Sequence, residues 1–175
     1  CGTCIHDNTL VASMQKKGYD VALIPTYTPL RTDEENVSLN RVFYGGVNVY
    51  LQQKLALFRY TPWFLDRFLD SETLLKSLVR FSSSTNAKDL GALTISMLEG
   101  EEGHQKKELK KLIKWLKDEY KPDIVQLTNS MFVGLAREIK NALGVPVLCA
   151  LQGEDIFLDD LVEPYRIQAM EILRK

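Results

Sequence analysis

The residues best suited to chemistry sit in a few polar turns. Cys1-Gly2-Thr3-Cys4 is a C-x-x-C tetrad. Placed at a helix N-terminus, such a pair does thiol–disulfide exchange, because the helix dipole lowers the thiol pKa. A zinc site would need Cys149 and His6 to converge on the same pair. His6 beside Asp7 is an acid/base candidate, since imidazole titrates near neutrality. Gly45-Gly46-Val47-Asn48 is flexible enough to bring backbone close to a ligand, or to serve as a plain helix-entry turn. Gln152-Gly153-Glu154-Asp155 carries two carboxylates and an amide that can orient substrate hydroxyl groups. The alternative there is a helix cap, with Asp155 capping and Glu154 exposed.

The stretch 121–155 positions the last of these. Lys121-Pro122 breaks a helix. Asp123–Leu127 reads as a buried strand, and Thr128-Asn129-Ser130 as a polar turn able to cap a helix. Phe132, Leu135, Ala136, Ile139 and Leu143 then recur at helical spacing. Gly144 suits the helix end, Pro146 follows it, and Val147–Leu151 is a second buried strand. A strand–helix–strand unit crosses over right-handed, so its strands are parallel. Asn129, Ser130 and Gln152–Asp155 then share one carboxyl edge, where open α/β sheets bind ligands.

Nearer the start, Asp7 reads as the cap of a short helix with Leu10, Val11 and Met14 as its apolar stripe. Gly18 ends it, and Val21–Ile24 follows as a strand stopped by Pro25. Thr26 to Asn40 reads as a long surface loop and Arg41–Tyr44 as a short strand. A helix is expected through Val49, Gln52, Leu55 and Phe58. Residues 59–120 read as almost wholly helical, so 47–120 is expected to be a mainly helical insertion in a single domain spanning 1–175. Within it, Tyr60, Trp63, Phe64 and Phe68 form an aromatic cluster that is either core or an acceptor platform. Leu74, Leu75, Leu78 and Val79 mark one helix, Ser82–Asn86 a turn, and Leu109, Leu112, Ile113 and Leu116 another helix. On the polar side of that last helix lie Lys106, Lys107, Lys110, Lys111, Lys114 and Lys117, either a solvated face or a contact with anionic lipid. His104 is expected at the surface.

With 175 residues and a formal charge of −1, the chain is large enough for a real core and is not built to hold nucleic acid. No apolar run approaches the ~20 residues of a membrane span. Three cysteines are too few for a disulfide scaffold, and cytoplasmic residence is the expectation, with contact at the membrane surface through the lysines.

Helix–Gly18-Tyr19-Asp20-Val21, then Asp123–Ser130, then Gly144-Val145-Pro146-Val147 leading to Gln152-Gly153-Glu154-Asp155, resemble the N-terminal domain of GT-B glycosyltransferases, the retaining group called family 4 or group 1. The resemblance covers both ends of the chain and not the helical middle. It implies a Rossmann-like parallel sheet and the acceptor-side domain of an enzyme that moves a sugar from a nucleotide-sugar donor to an acceptor. The donor would sit mainly in a C-terminal domain beyond Lys175, and no other cofactor or metal is expected. Cys1–Cys4 stands where the family has its glycine-rich loop. Gln152 stands where the family often has histidine, which implies hydrogen bonding rather than proton transfer. The cleft would be lined by Gly2, Thr3, His6, Gly45, Gly46, Asn48, Asn129, Ser130, Gln152, Gly153, Glu154 and Asp155. A thioredoxin-like oxidoreductase with a helical insertion, and a non-catalytic Rossmann-like binding or scaffolding module, are the alternatives; an insulin-reduction assay separates the first of them.

In the usual strand order of such sheets, 3-2-1-4-5, the first strand is central. In the resembled family that strand precedes the glycine-rich loop, so it would lie upstream of Cys1. Val21–Ile24 and Asp123–Leu127 are therefore expected to flank a slot about two strand spacings wide, ~9.6 Å. Direct pairing of the two would count against the resemblance.

Overall fold

The computed structural model describes residues 2–27, 29–30, 32–60 and 87–174. Trp63, Phe64 and Phe68, the helix expected at Leu74–Val79 and the turn at Ser82–Asn86 lie outside them, as does Cys1. The described chain is mixed α/β, mostly helical, around a small two-stranded parallel sheet.

The sheet is the strand–helix–strand unit. β1 (Val125–Leu127) and β2 (Val147–Cys149) pair in parallel, with Val125 opposite Val147 and Leu127 opposite Cys149. Asn129 opens the connection, its side chain accepting from the Met131 N–H at 3.1 Å. A 3-10 turn (Ser130–Leu135) follows and buries Phe132 and Leu135. The helix proper, Ala136–Leu143, buries Ile139 and stops at Gly144, whose φ of +71° a side chain would resist. Upstream, a five-residue π-type turn closes on Lys121, where φ is +53°, just ahead of Pro122.

In chain order the helices are α1 (Gly2–Lys16), α2 (Gly46–Lys54), α3 (Ala87–Leu98), α4 (Lys106–Trp115), α5 (Ala136–Leu143), α6 (Glu154–Asp159) and α7 (Tyr165–Leu173). The expected start of α1 is corrected: Asp7 is inside the helix, not its cap. The helix expected to run through Phe58 ends at Lys54, and a 3-10 turn covers Ala56–Arg59. Two expected strands shrink to single parallel bridges, Leu23 with Ser38 and Thr26 with Phe43. The physical reason is Pro25, which lies on the edge facing 38–43 and offers no N–H, so the ladder is interrupted there.

One core cluster packs α4 and α5 under the sheet, with Leu109, Leu112, Trp115, Leu116, Leu135 and Ile139 at its centre. Phe43 reaches it through Trp115, ring centroids 5.1 Å apart, and Trp115 stacks on Tyr120 at 5.3 Å. A smaller cluster joins Leu98 of α3 to Leu158, Leu161 and Ala169. Val11 of α1 is buried but belongs to neither cluster. Between α1 and the larger cluster lies a cavity of about 600 Å³, bordered by the segments 19–26 and 120–128. Val21–Ile24 and β1 do not pair with each other among the described residues.

Gly134 marks the tightest approach between α3 and the 3-10 turn. A Cβ there would lie 2.3 Å from the Met97 carbonyl oxygen and 2.5 Å from that of Leu98. Both are backbone atoms and cannot swing aside. Gly134→Ala is expected to cost about 1–3 kcal/mol in urea unfolding, the range of overpacking elsewhere. A loss under a few tenths would mean that α3 slides freely on this turn.

Candidate functional site

The strand ends and α1 bring a polar cluster together. In a strand–helix–strand unit both strands deliver their carboxyl ends to one edge. There Thr128 follows β1 and Gln152 follows β2 by a few residues. The Gln152 side-chain amide donates to the Thr128 carbonyl at 2.8 Å and to Asp7 Oδ1 at 2.9 Å. The Thr128 hydroxyl donates to Asp7 Oδ2. Asp7 Oδ1 also faces His6 Nδ1 at 3.0 Å. Asp7 thus anchors α1 to the strand ends, and His6 stands outside it, exposed.

Glu154 holds the other half of the edge. Its carboxylate accepts the Ser130 N–H at 2.8 Å and the Gln152 N–H at 2.6 Å. Burial pushes this carboxyl up, but the Ser130 hydroxyl and the backbone N–H groups of Ser130, Gln152 and Glu154 outweigh it and hold the pKa at about 2. Gly153, with φ +79°, makes the turn that lets Gln152 and Glu154 face the same strand ends. The helix-cap alternative is reversed in detail: Gly153 is the N-cap of α6, Asp155 is exposed in its first turn, and Glu154 is the partly buried, bonded residue.

The other expected site residues spread further. Gly2 begins α1 with open space where a Cβ would stand, and Thr3 is half-buried one residue on. Five residues of helix, ~7.5 Å, separate Gly2 from Asp7. Gly45 and Gly46 open α2 beyond the Thr26–Phe43 bridge, at the carboxyl end of that segment too. The Gly46 N–H is already taken by the Tyr27 carbonyl at 2.8 Å. Asn129 spends its side-chain oxygen on its own turn.

Asn48 is elsewhere. It is fully buried, and its amide donates to Glu108 Oε1 at 2.9 Å. Gln52 donates to the same oxygen at 3.0 Å and Lys111 at 2.9 Å, so Glu108, only 2% exposed, is a charge held by three donors. The Tyr44 hydroxyl and Gln52 Oε1 are buried nearby with no hydrogen-bond partner among the described residues. Burial, with Tyr27 and Glu108 adding to it, raises the Tyr44 phenol far above its ordinary value. His104, expected at the surface, is half-buried beside Arg59; burial first and that guanidinium second push its pKa down. This cluster ties α2 to α4 from inside and does not open on the strand edge.

The lysine helix, α4, buries its apolar stripe in the core. Lys106 pairs with Glu101 at 2.9 Å and Lys114 with Asp118 at 2.6 Å, while Lys110 and Lys117 are exposed. Among the described residues there is no group of three His, Cys, Asp or Glu able to hold a metal ion, and no helix long and apolar enough to cross a membrane.

Sequence reasoning did not name Asp7 and Thr128 as site residues. Asp7 was legible as a polar residue facing the strand ends only once α1 was known to begin at Gly2. Compared with protein-family models, with curated proteins and with solved structures, the chain matches none.

Glu154 gives a pH signature. Its carboxyl titrates lower folded, at about 2, than at its ordinary value of 4.5. Its contribution to stability is therefore complete above pH ~4.5 and is lost as the pH falls through about 2. Glu154→Gln should lower Tm at pH 7, and the gap to the wild type should close as the pH drops from 4.5 to 2. Melting curves at several pH values check this; a gap independent of pH would remove the carboxylate from the account.

Proposed function

We propose that the chain is the acceptor-side domain of a retaining glycosyltransferase of the GT-B kind, its sheet the N-terminal, Rossmann-like half with a helical insertion. One observation supports this above the others: Asp7, Thr128, Gln152 and Glu154 gather at the carboxyl ends of two parallel strands. An edge of that kind suits the positioning of a hydroxylated acceptor. It offers carboxylates and amides as hydrogen-bond partners, and glycines where phosphate can come close to backbone.

In this reading the nucleotide-sugar is held mainly by a second domain of the same polypeptide, and 1–175 alone is inactive. The donor phosphates approach Gly2, Gly45 and Gly46. The acceptor hydroxyls meet His6, Asn129, Ser130 and Asp155 around the Gln152–Asp7 pair. Gln152 donates hydrogen bonds and cannot take a proton, so its task is to fix the edge rather than to make or break bonds. The enzyme is placed in the cytoplasm. Contact with an anionic membrane surface would rest on the exposed lysine head groups of the segment 106–117, because the apolar side of α4 is spent on the core.

The test uses the whole protein with a panel of nucleotide-sugars, reading nucleoside diphosphate release and the anomeric configuration of the product by NMR. Turnover with retained configuration is expected. Gln152→Ala should lower kcat/KM for the acceptor by about 10–100-fold, as expected for loss of a positioning contact, with donor binding little changed. No release from any donor, with the protein folded, would sink the reading.

A further inference from the structure

The cavity between α1 and the core lies between two extended segments. Its two long sides are the segments 22–26 and 124–128. In a parallel ladder the backbone groups of successive residues turn to opposite edges. The Val125 N–H donates to Pro146 and the Leu127 carbonyl accepts from Ala150, each at 3.0 Å, so Val125 and Leu127 face β2. Ile124 and Gln126 must then face the cavity. On the far side, Leu23 accepts from Leu39 at 2.9 Å, Pro25 from Phe43 at 3.1 Å, and Tyr27 donates to Phe43 at 3.1 Å. Leu23, Pro25 and Tyr27 therefore face the 38–43 segment, and Ala22 and Ile24 face the cavity.

The rest of the lining is mostly apolar, with Asp7, Asp20, Lys121 and Asp123 as its charged members. Leu10, Val11 and Met14 of α1 line one part. Leu112, Leu116, Phe132, Leu135 and Ile139 line another, and all five belong to the main core. Two rows of backbone donors and acceptors with mostly apolar walls fit one kind of occupant: an extended, uncharged segment of about five Val, Ile or Leu residues, parallel to its neighbours.

We propose that this slot holds a β-strand, and that the strand is the polypeptide leading directly into α1. The observation that selects this occupant is where α1 begins. Asp7 is bonded to Thr128 and Gln152, so the N-terminal half of α1 lies at the carboxyl end of the slot. A strand parallel to β1 leaves the slot at that end and needs only a short turn to enter Gly2. From there α1 runs back along the slot, where its Leu10, Val11 and Met14 face the strand, and returns through Gly18 to the 21–26 segment beside it. The sheet then reads 38–43, 21–26, slot strand, β1, β2, every pair parallel. This rests on backbone edges and does not depend on the glycosyltransferase reading.

Hydrogen exchange at Ala22, Ile24, Ile124 and Gln126 tests it in two preparations. One is the protein as its own cells make it, with its N-terminal sequence determined; the other is the polypeptide Cys1–Lys175. The native protein is expected to carry an apolar stretch of about five residues just ahead of α1. Its four amides should exchange at least ~100-fold slower than in Cys1–Lys175. Absence of the stretch overturns the proposal, as does its presence without added protection. Protection that appears in Cys1–Lys175 alone and grows with concentration assigns the slot to a second copy and also overturns it. As an independent check, Lys-Val-Leu-Ile-Val-Val-Ser-Gly is fused ahead of Cys1, beside a version with serine at its five apolar positions. The apolar fusion alone should slow these amides and raise Tm; equal behaviour of the two fusions overturns the proposal. None of these readouts is enzymatic, so they stand apart from any failure to find sugar transfer.

Discussion

A parallel strand hides its N–H and C=O groups only by pairing on both edges, and each group left bare inside the protein costs on the order of 1–3 kcal/mol. That constraint accounts for more of this molecule than any single side chain. Where the condition is met on one side, between β1 and β2, the backbone forms a regular ladder with a fixed register. Where the 21–26 segment pairs only with 38–43, the ladder reduces to two isolated bridges. Both segments carry strand-like residues, so composition does not separate them. What separates them is one missing donor: Pro25 faces the 38–43 segment and has no N–H to give it.

The same constraint explains how α1 is held. Its apolar residues face a cavity rather than the core, so its attachment is polar. Asn8 is fully buried and fastens the long loop, donating to the Glu35 carbonyl at 2.9 Å and accepting from the Val37 N–H at 3.1 Å. Gln15 donates to the Val21 carbonyl at 2.9 Å, and Asp7 holds the strand ends. Hydrogen bonds of this sort are each worth only about 0.5–1.5 kcal/mol net. They fix the place of a helix, whereas burial of its stripe supplies the larger part of the stability of an amphipathic helix.

Much of this architecture was legible in the sequence where the signal was local. The spacing of Leu109, Leu112 and Leu116 gives α4, and Gly144 with Pro146 brackets the end of α5 and the start of β2. The polar turns at Asn129–Ser130 and Gln152–Asp155 do meet at one edge. The rest depended on partners distant in the chain. Asn48 looked like part of a glycine-rich ligand turn, yet it points inward to Glu108, sixty positions away. A signal was there: Asn48 and Gln52 lie one helical turn apart, and Glu108 shares the buried spacing of Gln105, Leu109 and Leu112. A carboxylate on an apolar stripe needs donors from another element, and a pair of amides four residues apart can supply them. The role of Asp7 escaped because a helix that begins five residues earlier turns an expected cap into a mid-helix anchor.

The polar atoms of the carboxyl edge divide into those already engaged and those that face outward. Gln152 spends its side-chain amide on Asp7 and Thr128 and its backbone N–H on Glu154. Glu154 spends both oxygens on backbone N–H groups and stays ionised down to about pH 2, so it cannot act as a general acid near neutrality. These two residues therefore build the edge. The group beyond them that faces outward is the exposed His6 ring, whose Nδ1 lies 3.0 Å from Asp7. That contact fixes which ring face is presented and leaves Nε2 as the nitrogen directed away from the carboxylate. The imidazole is thereby held on a helix anchored to the strand ends. It owes its position to Asp7, and Asp7 owes its own to Gln152 and Thr128, so the outermost group of the edge is placed by the backbone of the innermost strands.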